Sequence, residues 1–281
     1  MDHQKINLDL SILIPHINGI VLSSADMVYL GLQALEESNL QDLKEPDVGV
    51  QVLWTEGHIH NISDLKEKFK SWIIGNALVR SLESLNPIFN EVRKVCEIAR
   101  NCVNGQIKGE MLEPLSRYEF PKVDDTKGFE RGNITRRLNI LKDYYKFPLQ
   151  SDMYNALISL DHCRNCLVHR SGVVRLKEDI NGNGHKDAMA IKWLKPAYRV
   201  KDLKGKERFV TIGDIVQGGE TLYKKIEFQE TIKKFKETER IVLSVDEFGE
   251  ISIMLIYFGG LLVNTIVEYC KQHGIKPQES I

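Results

Sequence analysis

The sequence predicts a mainly α (α+β) chain, a helical bundle with a β-rich insertion ahead of its C-terminal helix. Three observations carry this. Apolar residues recur at i+3/i+4 spacing through most of the stretch from Ser23 to His169. After Gly172 the period changes to runs of β-branched and aromatic residues separated by Gly-, Asn- and Lys-rich turns. From Ser244 a long apolar segment returns, with Ser244 to Asp246 placed to cap it. The chain therefore divides into a helical core over 1–171, a β-rich accessory region over 172–243, and a helix within 244–281. That helix is expected to pack back on the bundle, because its apolar surface is too large to leave in water.

Taken in order, residues 1–22 read as an extended or irregular lead-in, because Pro15 and Gly19 break their apolar run. Ser23-Ser24 then caps a helix to about Ser38, with Met27, Leu30, Leu32 and Leu35 available for packing. The stretch from Pro46 to His60 is ambiguous, with a β-like piece from Val48 to Trp54. A helix follows from Ser63, carrying Leu65, Phe69, Trp72, Ile73 and Ala77. Pro87 interrupts, and a further helix (Ile88, Phe89, Val92, Val95, Cys96, Ala99) runs to about Cys102 before Asn104-Gly105. Residues 105–132 are loop-like; Asn133 starts another helix that ends before Pro148. Strand-like pieces then cover Val173–Leu176, Met189–Leu194, Phe209–Ile212 and Tyr223–Leu243.

Composition narrows the class of protein. The 281 residues are 42% hydrophobic and 27% charged, as in an ordinary globular protein, with a net charge of −1. Nothing attracts nucleic acid globally, so any such binding needs local basic patches. Met1 to Asp9 lacks the basic-then-apolar layout of a signal peptide, and five cysteines suggest reduced thiols, hence an expected cytoplasmic location. Ile251 to Val267 resembles a membrane span but is short and holds Gly259-Gly260 and Asn264; it reads as a buried helix, with no membrane partner expected.

Chemistry concentrates in one stretch, Arg164-Asn165-Cys166-Leu167-Val168-His169, followed by Arg170-Ser171-Gly172. It ends a helix over roughly Ser151 to His169, whose stripe is Met153, Ala156, Leu157, Leu160, Leu167 and Val168. Ser151 or Asp152 can cap its start, and Ser171-Gly172 supplies the stop. Arginine is a permanently charged fork for phosphate, and histidine exchanges a proton near neutral pH. The helix C-terminus favours a charged histidine. Arg164 and His169 stand about 140° apart around an ideal helix. One helix aims both at one atom only if the arginine wraps round or the last turn opens. Two copies apposed across a twofold axis solve this by sharing a cleft. The set suits phosphodiester chemistry without a metal.

Arg-Asn, three further residues, then His resembles the R-x4–6-H signature of the HEPN superfamily, whose first intervening position is typically polar. The likeness covers this helix closely and the rest of the chain in outline. It implies a HEPN-like helical bundle, often dimeric, and in many members a metal-independent endoribonuclease of toxin–antitoxin, abortive-infection or other defence systems. Carried over, it makes Arg164 and His169 the catalytic pair, with Asn165 as polar helper. It implies RNA as the partner, a homodimer with a composite site, an antitoxin or regulatory partner, and no cofactor. Some members are non-catalytic, so a nucleotide-, RNA- or protein-binding module is the alternative. Arg136, Arg137 and Arg170 are the candidate RNA contacts; the two former belong to the helix just before the motif helix. The lysines at 142, 224–225, 233–234 and 236 read as a solvated face.

Other chemistries are weaker. Cys163-x2-Cys166, with His162, His169, Cys96 and Cys102, looks like a zinc half-site but lacks a second compact ligand pair; buried core cysteines are the better reading. Asp179 to Gly184 starts like an EF-hand loop, yet Ala190 stands where the bidentate glutamate belongs. Arg100-Asn101-Cys102-Val103 echoes the motif without its histidine. No Walker-type loop or Gly-x-Ser-x-Gly elbow is present.

Overall fold

The computed structural model describes residues 13–38, 62–103, 128–175, 188–211 and 221–273. Among them are helices α1 (Leu13–Glu37), α2 (Ile62–Glu83), α3 (Leu85–Val103), α4 (Ile134–Asn139), α5 (Ser151–Arg170) and α6 (Val245–Gln272), with strands β1 (Ala188–Lys201), β2 (Glu207–Thr211) and β3 (Thr221–Lys236). The chain is mostly helical, with one small antiparallel sheet. The β-like piece expected at Val48–Trp54, the Asn104-Gly105 stop and the Asp179–Gly184 loop lie outside the described residues.

α1 starts ten residues earlier than Ser23, at Leu13. Pro15 is no obstacle there, because the first-turn N–H groups have no intrahelical acceptor. Its inward face is Ile17, Val21, Ser24, Val28 and Leu35, whereas Met27 (60% exposed) and Leu30 point out, against expectation. α2 corrects a second stripe. Ile74, Ala77, Leu78, Ser81 and Leu82 are buried, while Phe69 and Trp72 stack on each other at the surface with ring centroids 5.7 Å apart. The interruption expected at Pro87 falls at Ser84, and Pro87 lies in the first turn of α3. Asn133 caps α4 by accepting from the Arg136 N–H, after which a π-helical turn spans Ile140–Tyr144.

The sheet order is β2-β1-β3, all antiparallel. β1 is central, and most of its residues are buried, the rest half-buried except the exposed Lys201. The piece expected at Val173–Leu176 reduces, over its described part, to one bridge between Val173 and Arg240, and β3 ends at Lys236, short of Leu243. The sheet shares the bundle's core: Met189, Ile191 and Trp193 pack in one cluster with Leu157, Leu160 and Met254. Ser159 of α5 stitches the layers, donating to the Ala190 carbonyl and accepting the Lys192 N–H. Trp193 donates its indole N–H to Glu250 of α6, which also pairs with Lys195 at 2.7 Å.

α6 opens with a capping box between Ser244 and Glu247. It is the one helix among the described residues long and apolar enough to cross a membrane, and half of its most apolar window is buried inside the fold. Phe248, Ile251, Met254, Leu255, Phe258, Leu262 and Ile266 face the core. α1 crosses it so closely that a Cβ on Gly259 would stand 2.5 Å from Ile17 Cδ1. Each such buried aliphatic side chain contributes roughly 1.5–3 kcal/mol.

Candidate functional site

α5 delivers the motif. Its inner face buries Met153, Ala156, Leu157, Leu160, Cys163 and Cys166, so the two cysteines are core residues. Leu167 is partly covered, and Val168, expected in the stripe, is 46% exposed. The helix starts from Gln150, one residue before the expected cap, and that residue makes no side-chain cap. It stops where the sequence places the stop. Ser171 (φ 52°) and Gly172 (φ 77°) both enter the left-handed region, and the Gly172 N–H donates to the Cys166 carbonyl at 3.1 Å. The Gly172 carbonyl then accepts the Ile241 N–H at 2.8 Å, which braces this end against the segment leading to α6.

Arg164 is mostly covered and held on two sides. One terminal nitrogen donates to Asn165 Oδ1 at 3.0 Å and the other pairs with Glu83, at the end of α2, at 2.5 Å. Asn165 therefore orients the arginine; no hydrogen bond joins it to His169 among the described residues. His169 is exposed on the last turn, with no hydrogen bond or ion pair among the described residues. The fold does not bring Arg164 and His169 together within one chain, as their angular separation on the helix requires.

Arg164 opens into a polar cavity of about 300 Å³, lined also by Glu83, Asn86, Arg131, Arg137 and Asp161, with the Glu130–Ile134 backbone closing one side. His169 is not part of this lining. Arg137, expected to reach RNA, is 4% exposed. Its guanidinium donates to the carbonyls of Gly132, Asn86 and Glu130 and to Asn90 Oδ1, and lies 5.3 Å over the Phe129 ring. Burial pulls its pKa below the usual arginine range, partly offset by Glu130. Its donors hold the cavity wall in place. Arg136 is exposed; its guanidinium lies against Gly128, where a Cβ would stand 2.9 Å from it, and its aliphatic stem lies against Gly132. Arg170 is partly buried at the last position of α5.

Asp161 is 1% exposed, and its Oδ2 accepts from the Thr135 N–H at 3.0 Å and the Thr135 hydroxyl at 2.7 Å. Asp161, Glu83 and Asn86 escaped the sequence reading. Asp161 was accessible in principle, since it precedes Arg164 by one helical turn. Glu83 and Asn86 were not, because nothing local links the α2–α3 junction to α5. No group of three or more His, Cys, Asp or Glu is arranged to hold a metal ion among the described residues. Comparisons with protein-family models, curated proteins and solved structures found no match, so the HEPN resemblance stands on the residues of α5 alone.

Proposed function

We propose that this protein is a metal-independent, HEPN-type RNA endonuclease acting in the cytoplasm, with a site completed by a second copy of the chain. One observation carries the reading: an arginine pre-oriented by its neighbouring asparagine stands on a rigidly terminated helix whose last turn presents an exposed histidine with no partner among the described residues. His169 takes the proton of a ribose 2′-hydroxyl as that oxygen attacks phosphorus. The P–O5′ bond breaks, and the 5′-oxygen leaves with a proton returned by imidazolium. Arg164 stabilises the charge gathered on the phosphoryl oxygens. The products are a 2′,3′-cyclic phosphate and a 5′-hydroxyl, and the first step consumes no water. Because Arg164 and His169 diverge on one helix, apposed α5 ends from two protomers supply both groups to one phosphate. A toxin or defence role, with a restraining partner, follows from the resemblance.

The test is cleavage of mixed RNA in EDTA by the wild type beside Arg164→Ala and His169→Ala. Cutting that resists EDTA and disappears in both variants, with folding intact, supports the reading; equal cutting by all three refutes it. The Arg164–Glu83 pair favours a second reading, a non-catalytic binding module in which Arg164 fastens α5 to α2. That reading expects no cutting by any of the three, and a loss of stability in Arg164→Ala.

A further inference from the structure

A second recess lies between the same two helices, outside the Arg164 cavity. It is a groove of about 200 Å³ to which α2 contributes Lys68, Trp72 and Gly75, α5 contributes Leu167 and Val168, and the segment before α6 contributes Arg240. Gly75 lets the helices close at its floor, since a Cβ there would stand 3.3 Å from Leu167 Cδ2. Trp72 is 62% exposed although Phe69, one turn earlier, stacks on it with 14° between the ring planes. One face of the indole is backed by an aromatic ring and the other is open. A ring braced in this way loses little freedom when a flat partner settles on it.

The charge around this ring has one sign. Lys68 and Arg240 line the groove, and among the described residues no carboxylate does. The acids next to them in sequence are engaged elsewhere: Glu67 pairs with Lys70 at 3.2 Å, and Glu239 accepts the Lys236 N–H at 2.7 Å. In a chain of net charge −1, this is a local basic patch around an aromatic platform.

We infer that the groove is a stacking subsite for single-stranded RNA, which rests on the RNA reading above and extends it from the cut to the strand that is held. An aromatic face takes a base of any sequence, and neighbouring cations take the phosphates on either side. The groove and the Arg164 cavity share one seam. Gly75 meets Leu167 and Glu83 meets Arg164, so α2 and α5 run antiparallel along it. Trp72 and Glu83 stand about 16 Å apart along the axis of α2, by the rise per helical residue. One nucleotide does not span that distance; a short strand with a base on Trp72 and a phosphate at Arg164 does. A duplex does not fit, because its base faces are already stacked inside it. The substrate is therefore unpaired RNA.

The experiment is a fluorescence titration of the full-length chain with a short 2′-O-methyl oligoribonucleotide of mixed sequence, which lacks the 2′-hydroxyl needed for cutting. Binding should quench tryptophan emission. Trp72→Ala should remove most of that quenching and weaken binding about tenfold or more, the scale of one base stacked on an aromatic ring. Trp72→Phe keeps a ring and should recover most of the affinity. Because Trp72 is exposed, both variants should fold as the wild type does. Lys68→Gln and Arg240→Gln should each flatten the logarithmic salt dependence by about one. In cleavage assays Trp72→Ala should raise KM more than it lowers kcat, as loss of binding remote from the reacting atoms does. Unchanged affinity in Trp72→Ala, or a duplex bound as tightly as the single strand, overturns the proposal. So does a change of oligomeric state in Trp72→Ala by analytical ultracentrifugation with RNA affinity intact, since the platform is then an interface between copies. Stacking on Trp72 without EDTA-resistant cleavage upholds the subsite and sinks the ribonuclease reading, and cleavage that Trp72→Ala leaves untouched does the reverse.

Discussion

The two flanks of the α5 terminus are built differently. On one, Arg164 is held by Asn165 and braced to α2, Asp161 is braced to α4, and Arg164 and Asp161 line a cavity whose wall is pinned by the buried Arg137. On the other, Val168 and His169 are exposed, Val168 at the edge of a groove of about 200 Å³ lined also by Trp72, Leu167 and Arg240. One flank is organised before any ligand arrives, and the other is bare. A catalytic arginine gains from fixed donors, because no reorganisation is then needed as charge develops. A general base needs access to the proton it removes, and exposure provides that. On the proposed reading, the difference would make one flank an anion-facing half-site already in place and the other an open proton-transfer half-site, which two apposed copies would join.

The largest effect that could break this contrast is on activity. His169→Ala should lower EDTA-resistant cleavage by about 10²–10⁴-fold with the melting temperature unchanged, because the side chain is exposed and has no partner among the described residues. Arg164→Ala should lower cleavage comparably and also cost up to about 1 kcal/mol of stability through the half-exposed Glu83 pair. Mixing the two inactive variants sharpens the test. A composite site recovers part of the activity in mixed dimers, and a site confined to one chain recovers none.

Next is the wall of the prepared flank. Arg137→Ala strips donors from three backbone carbonyls and Asn90, and should cost about 3 kcal/mol or more. Thermal unfolding measures this; an unchanged melting temperature would show that water replaces the guanidinium and that the wall is not pinned. Smaller again is Glu83→Gln. Removing the anion that pairs with Arg164 should change stability by less than about 0.5 kcal/mol, yet strengthen RNA binding severalfold and steepen its logarithmic salt dependence by about one. An unaltered salt slope would mean that Arg164 does not meet phosphate.

How far the sequence reaches differs between these flanks for a physical reason. The motif helix, its Ser171-Gly172 stop and the Ser244 cap were legible because helix ends are written in local residue types. The alternation to strands after Gly172 was legible too, though not where each strand ends, since pairing partners set that. Two stripes misled. Met27 and Leu30 in α1 and Phe69 and Trp72 in α2 are apolar at helical spacing yet exposed, because which face turns inward is decided by neighbouring helices and not by the helix itself. Arg137 misled in the opposite sense: a basic pair reads as a surface, and only the carbonyls converging from α3 and the preceding loop draw one of its members inside. The cavity's lining joins Glu83 to Arg164, 81 positions apart, a juxtaposition that only the packing of α2 against α5 creates.

The smallest change tests whether the two flanks act as one unit. Gly172 has φ 77°, and a Cβ there would stand 3.3 Å from Leu167 Cδ2, so Gly172→Ala should cost about 1 kcal/mol. The strain falls on the stop that ties the last turn to Ile241, next to His169 and more than a turn beyond Arg164. If the flanks are separable, this substitution disturbs the histidine side first: kcat should fall several-fold while RNA affinity through Arg164 holds. Losing both together would mean that the stop sets the pitch of the whole helix end. Losing neither would show that His169 needs no fixed position, which suits a group that meets its phosphate only when a second copy supplies the rest of the cleft.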